Sequence, residues 1–157
     1  MTLEELSAEL QKLVGGRVSF VRIVCNSIII YFHGEPGNSA VASVFIDPTW
    51  RLQHHGKVIV GSYDLQIDEA NFESKKQYQE EYERIAALTD GPEGSTLEEV
   101  AIDSDSSDLH MTFSGHQVVR NFANSGFDDK AWTYRNVVKG IAVVVSPLGI
   151  EERNTKE

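Results

Sequence analysis

The groups best suited to chemistry in this 157-residue chain sit in a few short stretches. Asp47-Pro48-Thr49-Trp50-Arg51-Leu52-Gln53-His54-His55-Gly56-Lys57 brings together an indole, a guanidinium and two adjacent imidazoles. Zinc needs three or four convergent nitrogen or sulfur ligands, and neighbouring residues of a regular strand point to opposite faces. His54 and His55 could therefore share a metal only from a turn. No His-x-x-x-His, Cys-x-x-Cys or His-Glu-x-x-His spacing occurs, and His33, His110 and His116 are scattered. The stretch reads as a strand ending in a turn, with no metal and no cofactor expected.

Asp103-Ser104-Asp105-Ser106-Ser107-Asp108 spaces oxygens like a calcium loop but has Asp108 where an EF-hand needs glycine and Ser114 where it needs glutamate. It reads as an enlarged, solvated hairpin loop. Ser114-Gly115-His116 lacks the Gly-x-Ser-x-Gly elbow of a hydrolase nucleophile, and its serine and glycine suit a turn. Gly91-Pro92-Glu93-Gly94-Ser95 has no phosphate-binding lysine, and Glu93 would repel phosphate. The lone Cys25 cannot form an internal disulfide and is expected to be a small buried hydrophobe. No catalytic residues are assigned, and the chain is not expected to be an enzyme.

Several elements must carry these groups. Thr2 and Glu5 form a capping box ahead of the stripe Leu3, Leu6, Leu10 and Leu13, and Gly15-Gly16 ends this first helix. Strands are expected over Val18–Val24 and Ile28–Phe32 around a turn at Asn26-Ser27, then over 40–46, 50–53 and 57–60, with a loop over 34–39. A second helix is expected from near Asn71 to Leu88, with Phe72, Tyr78, Tyr82, Ile85 and Leu88 inward. Asp90-Gly91-Pro92 should stop it, with the glycine in a left-handed cap.

The segment after the second helix repeats the segment after the first. Leu97, Val100 and Ile102 answer Val18, Val21 and Ile23; Leu109, Met111 and Phe113 answer Ile28, Ile30 and Phe32; Trp132 answers Trp50 and Gly140 answers Gly56. The spacing of matched positions stays between 79 and 84 residues. The expected fold is α+β with β predominating: two pseudo-equivalent halves, each a helix plus an antiparallel meander, form one domain over 1–150. Copy one covers about 1–67 and copy two about 71–147, and 151–157 is a polar, frayed C-terminal tail. The paired tryptophans are expected to be core anchors, and one of Arg51 and Arg135, one and three positions after them, to stack on an aromatic ring or pair with an acid at the rim.

Net charge is −10, from 24 acidic and 14 basic residues, and the acid is concentrated in the middle: 11 acidic against 3 basic residues between Asn71 and His110. Such a chain repels a phosphate backbone and attracts a cationic protein, so nucleic acid is not an expected partner. No apolar run approaches the ~20 residues that span a bilayer, and the acidic start is unlike a signal peptide. A cytoplasmic protein with no membrane partner is expected; oligomeric state is not legible.

Trp50-Arg51-Leu52, then Gly56 and Val60-Gly61-Ser62-x-Asp64, preceded by Gly16-x-Val18-x-x-Val21 and a strand ending Tyr31-Phe32, resembles small uncharacterised bacterial cytoplasmic proteins. Some of these are similar to immunity partners of polymorphic or contact-dependent toxins. The second half departs from the pattern at Thr133 and Tyr134 and lacks Gly-Ser-x-Asp, so no site residue carries over. Acidity without a catalytic motif points to a non-catalytic protein-binding module, and the resemblance sharpens this to an immunity-type protein that binds and neutralises a toxin. Its candidate contacts are Glu93, Glu98, Glu99, Asp103, Asp105 and Asp108. One alternative is a small-ligand binder or enzyme with a pocket between the copies, lined by Trp50, His54, His55, His116, Trp132 and Tyr134. Another is a structural dimerisation domain.

Overall fold

The computed structural model describes residues 1–33, 40–122 and 131–155; the loop expected over 34–39 lies outside them. It is a β-predominant α+β fold. The elements run α1 (Leu3–Gln11), β1 (Val18–Val24), β2 (Ser27–His33), β3 (Ala40–Ile46), β4 (Trp50–His54), β5 (Lys57–Gly61), α2 (Lys75–Ala87), β6 (Leu97–Ile102), β7 (Leu109–Phe113), β8 (Gln117–Asn121), β9 (Trp132–Asn136), β10 (Ile141–Ser146) and β11 (Gly149–Asn154).

The strands form two antiparallel sheets. The first has the order β1-β2-β3-β9-β10-β11 and the second β5-β4-β8-β7-β6. Neither meander stays in one sheet. The first half contributes β1 to β3 to one sheet and β4 and β5 to the other, and the halves join through β3 against β9 and β4 against β8. The inward residues of both sheets, among them Ile28, Ile30, Phe32, Val44, Leu52, Met111, Val119 and Val143, make one continuous apolar core with Leu6 and Leu10 of α1. Each such side chain contributes roughly 1.5–3 kcal/mol by leaving water.

Local chemistry explains the helices. Thr2 Oγ1 accepts from the Glu5 amide at 3.2 Å while Glu5 Oε2 accepts from the Thr2 amide at 2.7 Å, which starts α1. Ser74 caps α2 by accepting from the Gln77 amide at 3.2 Å. The second helix is shorter than the 71–88 expectation because Glu69–Asn71 forms a separate 3-10 turn and Phe72 is extended. Within α2 only Ile85 is buried; Phe72, Tyr78 and Tyr82 are half-covered and Leu88 is exposed. Gly91 is right-handed, and the left-handed residue at that end is Gly94, at φ +76°.

Gly94 has a counterpart in Gly15, at φ +85°. The Gly15 amide donates to Leu97 O at 2.8 Å and the Gly94 amide to Val18 O at 3.0 Å. The Leu97 amide donates to Gly16 O and the Val18 amide to Ser95 O, both at 2.9 Å. Between these pairs Arg17 bridges Thr96, so the two sheets are tied together at the starts of β1 and β6. Side chains seal the adjoining edges. Gln11 Nε2 donates to Val100 O at 2.6 Å, and the Val21 amide donates to Glu93 Oε2 at 3.3 Å. Covering an edge this way removes a template for unwanted strand pairing.

Two further expectations are corrected. Residues 151–154, expected to fray, belong to β11, which pairs with β10 through Val144↔Glu151 and Ala142↔Arg153. An edge strand is held by backbone bonds and leaves its charged side chains in water, so polarity does not prevent pairing. Cys25 is exposed rather than buried, because it occupies the two-residue turn between β1 and β2 at φ +56°, with Val24 opposite Ser27.

Candidate functional site

The acidic segment follows the edge of the second sheet. Glu98 and Glu99 are exposed on β6, and Asp103 and Asp105 are exposed in the turn between β6 and β7. That turn is held in a set shape. Asp103 Oδ1 accepts from the Ser106 amide at 2.7 Å, the Asp105 amide at 2.9 Å and Ser106 Oγ at 3.0 Å. These donors, the Ser106 amide foremost, hold the Asp103 carboxyl below the usual aspartate range. The Ser107 amide returns to Asp103 O at 2.9 Å, and the Asp103 amide donates to Asp108 O at 2.9 Å. Asp108 is half-buried at the end of the turn. Glu93 is exposed but spends one oxygen on the edge of β1, and its charge adds to burial in pushing the nearby Asp90 carboxyl up.

The residues proposed to line a pocket between the halves do not come together. Trp50, Trp132 and Tyr134 are in the core, each at most 2% exposed. The indoles act as anchors: Trp50 Nε1 donates to Asn26 O at 2.8 Å and Trp132 Nε1 to Ser107 O at 2.9 Å. Each therefore pins the hairpin turn of its own half from a strand in the opposite sheet. Tyr134 Oη accepts from Asn136 Nδ2 at 3.1 Å, and burial pushes its phenol up.

The histidines behave differently. His55 is left-handed at φ +48° and turns the chain at the β4–β5 hairpin, where its amide donates to His116 O at 3.0 Å. This places His54, His55 and His116 in a row of exposed rings, with centroids 4.4 and 4.6 Å apart. Successive rings are tilted against each other by 45° and 34°. Among the described residues no group of three histidine, cysteine or acidic side chains is arranged to hold a metal ion.

A polar row that no local spacing in the sequence assembles crosses the outer face of the second sheet. Arg51 of β4 faces Arg120 of β8, and Arg120 faces His110 of β7. Their sequence neighbours Leu52, Val119 and Met111 point into the core, so these three point out. The Arg51 guanidinium lies 4.4 Å from the ring centre of Phe122, one of the two arrangements expected for Arg51 or Arg135. Among the described residues neither arginine forms an ion pair. The Nε atoms of Arg51 and Arg120 and Nε2 of His110 are buried without a hydrogen-bond partner. Burial, then the charge of Arg120, hold His110 below the usual histidine range, against an opposing pull from Glu99. Alongside runs a groove of about 310 Å³ lined by Asp103, Asp108, His110, Arg120 and Phe122. No alternation in Gln117-Val118-Val119-Arg120-Asn121 marks Arg120, which turns outward only because the strand pairing places Val119 inward.

On the outer face of the first sheet, Phe20 and Tyr31 stack with centroids 4.1 Å apart. Beside them an apolar groove is lined by Val24, Ile29, Tyr31, Phe45 and Thr133, with Arg135 at its border. No helix of the described residues is long and apolar enough to cross a membrane. Comparison of the chain with protein-family models, with curated proteins and with solved structures gave no significant match in any of the three.

Proposed function

We propose that the protein is a non-catalytic protein-binding module that uses the acidic edge of its second sheet, and that its specific role is to bind and neutralise a cationic toxin domain. The observation that carries this reading is the preorganised acidic turn beside an exposed acidic strand. Glu98, Glu99 and Asp105 are exposed next to a turn whose backbone is fixed by three donors to Asp103 and by the buried Trp132 indole. Carboxylates on a rigid support lose little conformational freedom on binding, and their field speeds encounter with a basic partner. With a net charge of −10, that attraction acts over about a Debye length, near 8 Å at physiological salt.

The matched backbone bonds at Gly15 and Gly94, the two indole anchors and the reciprocal exchange of strands support a second element of the reading: the chain is an internally duplicated unit. Only the second half carries the acidic turn; the first has Cys25-Asn26 in its place. A duplicated scaffold with one decorated half presents a single binding edge. The test is a titration against the product of the adjacent gene, with wild-type protein and with Glu98→Lys/Glu99→Lys/Asp105→Lys. Binding that weakens at least tenfold on charge reversal, together with protection of growth by wild-type protein only, supports the reading. Equal binding by both proteins removes the acidic edge from it.

A further inference from the structure

We infer that the outer face of the second sheet, at Arg51, Arg120 and His110, is a binding site for the phosphoryl group of a small molecule. The three side chains occupy directly opposed positions on adjacent strands. Like charges placed so, about 5 Å apart at the backbone, repel. The chain has 24 acidic residues available to neutralise them, yet no ion pair reaches either guanidinium among the described residues. Both Nε–H groups are also shut off from water without an acceptor, as is His110 Nε2. Buried donors without acceptors are uncommon in folded proteins. The two arginine Nε–H donors lack an acceptor, and the remaining guanidinium nitrogens beside them suit a ligand that brings several acceptor oxygens.

A phosphoryl group fits this requirement better than a carboxylate. It carries three terminal oxygens and close to two negative charges, enough to accept from two guanidiniums and an imidazole at once. A carboxylate is satisfied by one guanidinium fork. Phe122 lies under the Arg51 guanidinium and holds its plane, which leaves the edges of the fork for the ligand. The adjoining groove of about 310 Å³ accommodates a small phosphate ester. The groove shares Asp103 with the acidic turn, and Glu99 lies on the same outer face opposite Thr112, but Arg51, Arg120 and His110 are not among the acidic contacts, so the site does not depend on that edge binding a protein.

The experiment follows the arginine Nε–H and His110 ring signals by ¹⁵N NMR while inorganic phosphate, glucose 6-phosphate, citrate or chloride is added to the full chain. Wild-type protein should show saturable shifts of the Arg51 and Arg120 signals with phosphate and with glucose 6-phosphate. Tighter binding of the ester identifies a phosphorylated metabolite as the ligand, and equal binding identifies free phosphate. Arg120→Gln, checked for an intact amide spectrum, should lose at least tenfold in affinity, with Arg51→Gln as the second variant should Arg120→Gln fail to fold. Shifts that do not saturate, that chloride reproduces, or that persist unchanged in a folded variant overturn the site. Tighter binding of citrate than of either phosphate overturns the phosphoryl assignment.

Discussion

Replacing Trp50 by phenylalanine tests whether the buried indoles hold the two sheets together. Trp50 is 2% exposed, and its Nε1 donates at 2.8 Å to Asn26 O in the turn of the facing sheet. Phenylalanine keeps most of the apolar bulk but loses the donor, leaving a part-buried carbonyl unsatisfied at a cost of about 1–2 kcal/mol. It also leaves a void of roughly 40 Å³, worth about 1 kcal/mol at the cost measured for engineered cavities. The expected loss is therefore about 2–3 kcal/mol, a fall in melting temperature of roughly 4–12 °C for a domain of this size. Trp132→Phe should lose a similar amount, since its bond to Ser107 O is 2.9 Å long and its side chain is fully buried. Urea unfolding gives the free energies, and each variant retains one tryptophan as its own fluorescent reporter. A loss below about 0.5 kcal/mol at both sites, within the range of ordinary surface substitutions, would refute the anchoring argument.

Gly94→Ala should cost about 1–2 kcal/mol, because φ +76° is unfavourable for a residue with a Cβ, and Gly15→Ala should cost about the same; thermal melts of the two variants make the comparison. Glu9 accepts from Lys12 and from Lys139, which joins α1 to the β9–β10 turn at 2.6 Å, and these bonds hold its carboxyl below the usual range. That stabilisation is present above the unfolded pKa and is lost as pH falls through the lower folded value. Glu9→Gln should therefore cost up to about 1 kcal/mol at neutral pH and close to nothing in strong acid, as read from denaturant midpoints across that range. His110 is shifted the other way for its type, since burial disfavours its charged form. Its unfolded form takes up a proton first as pH falls below about 6.5, so acid should destabilise the wild type, and His110→Gln should show a shallower loss between neutral and mildly acidic pH.

The strand-rich parts of the fold were readable wherever side chains decide the outcome. Val18–Val24 and the isoleucine run after it are rich in β-branched and aromatic residues, and Ile28, Ile30 and Phe32 are buried at every second position, so their chemistry and their conformation agree. Gln117–Asn121 and Gly149–Asn154 were not readable in this way: one has two valines among polar residues, the other is an edge strand of charged side chains, and both are held by backbone pairing. The exchange of strands between halves depends on β3 meeting β9 and β4 meeting β8, contacts that no local pattern specifies. Cys25 shows the converse. Its composition suggests a core residue, but a two-residue turn between two apolar strands fixes its place at the surface.

The candidate sites divide along the same line. The acidic segment was legible as a charge pattern and lies on the surface, whereas the tryptophans grouped with the histidines as pocket residues are buried anchors. Arg51, Arg120 and His110 are separated by up to 69 residues in sequence and meet only through the register of β4, β8 and β7. A sheet converts such distant residues into neighbours at about 5 Å, and that conversion cannot be read before the pairing is known.

The most direct measurement is calorimetric titration of the adjacent gene's product into the full chain at two salt concentrations. One-to-one binding is expected that weakens as salt rises and drops at least tenfold for Glu98→Lys/Glu99→Lys/Asp105→Lys. Absence of binding, or binding indifferent to both salt and charge reversal, would contradict it.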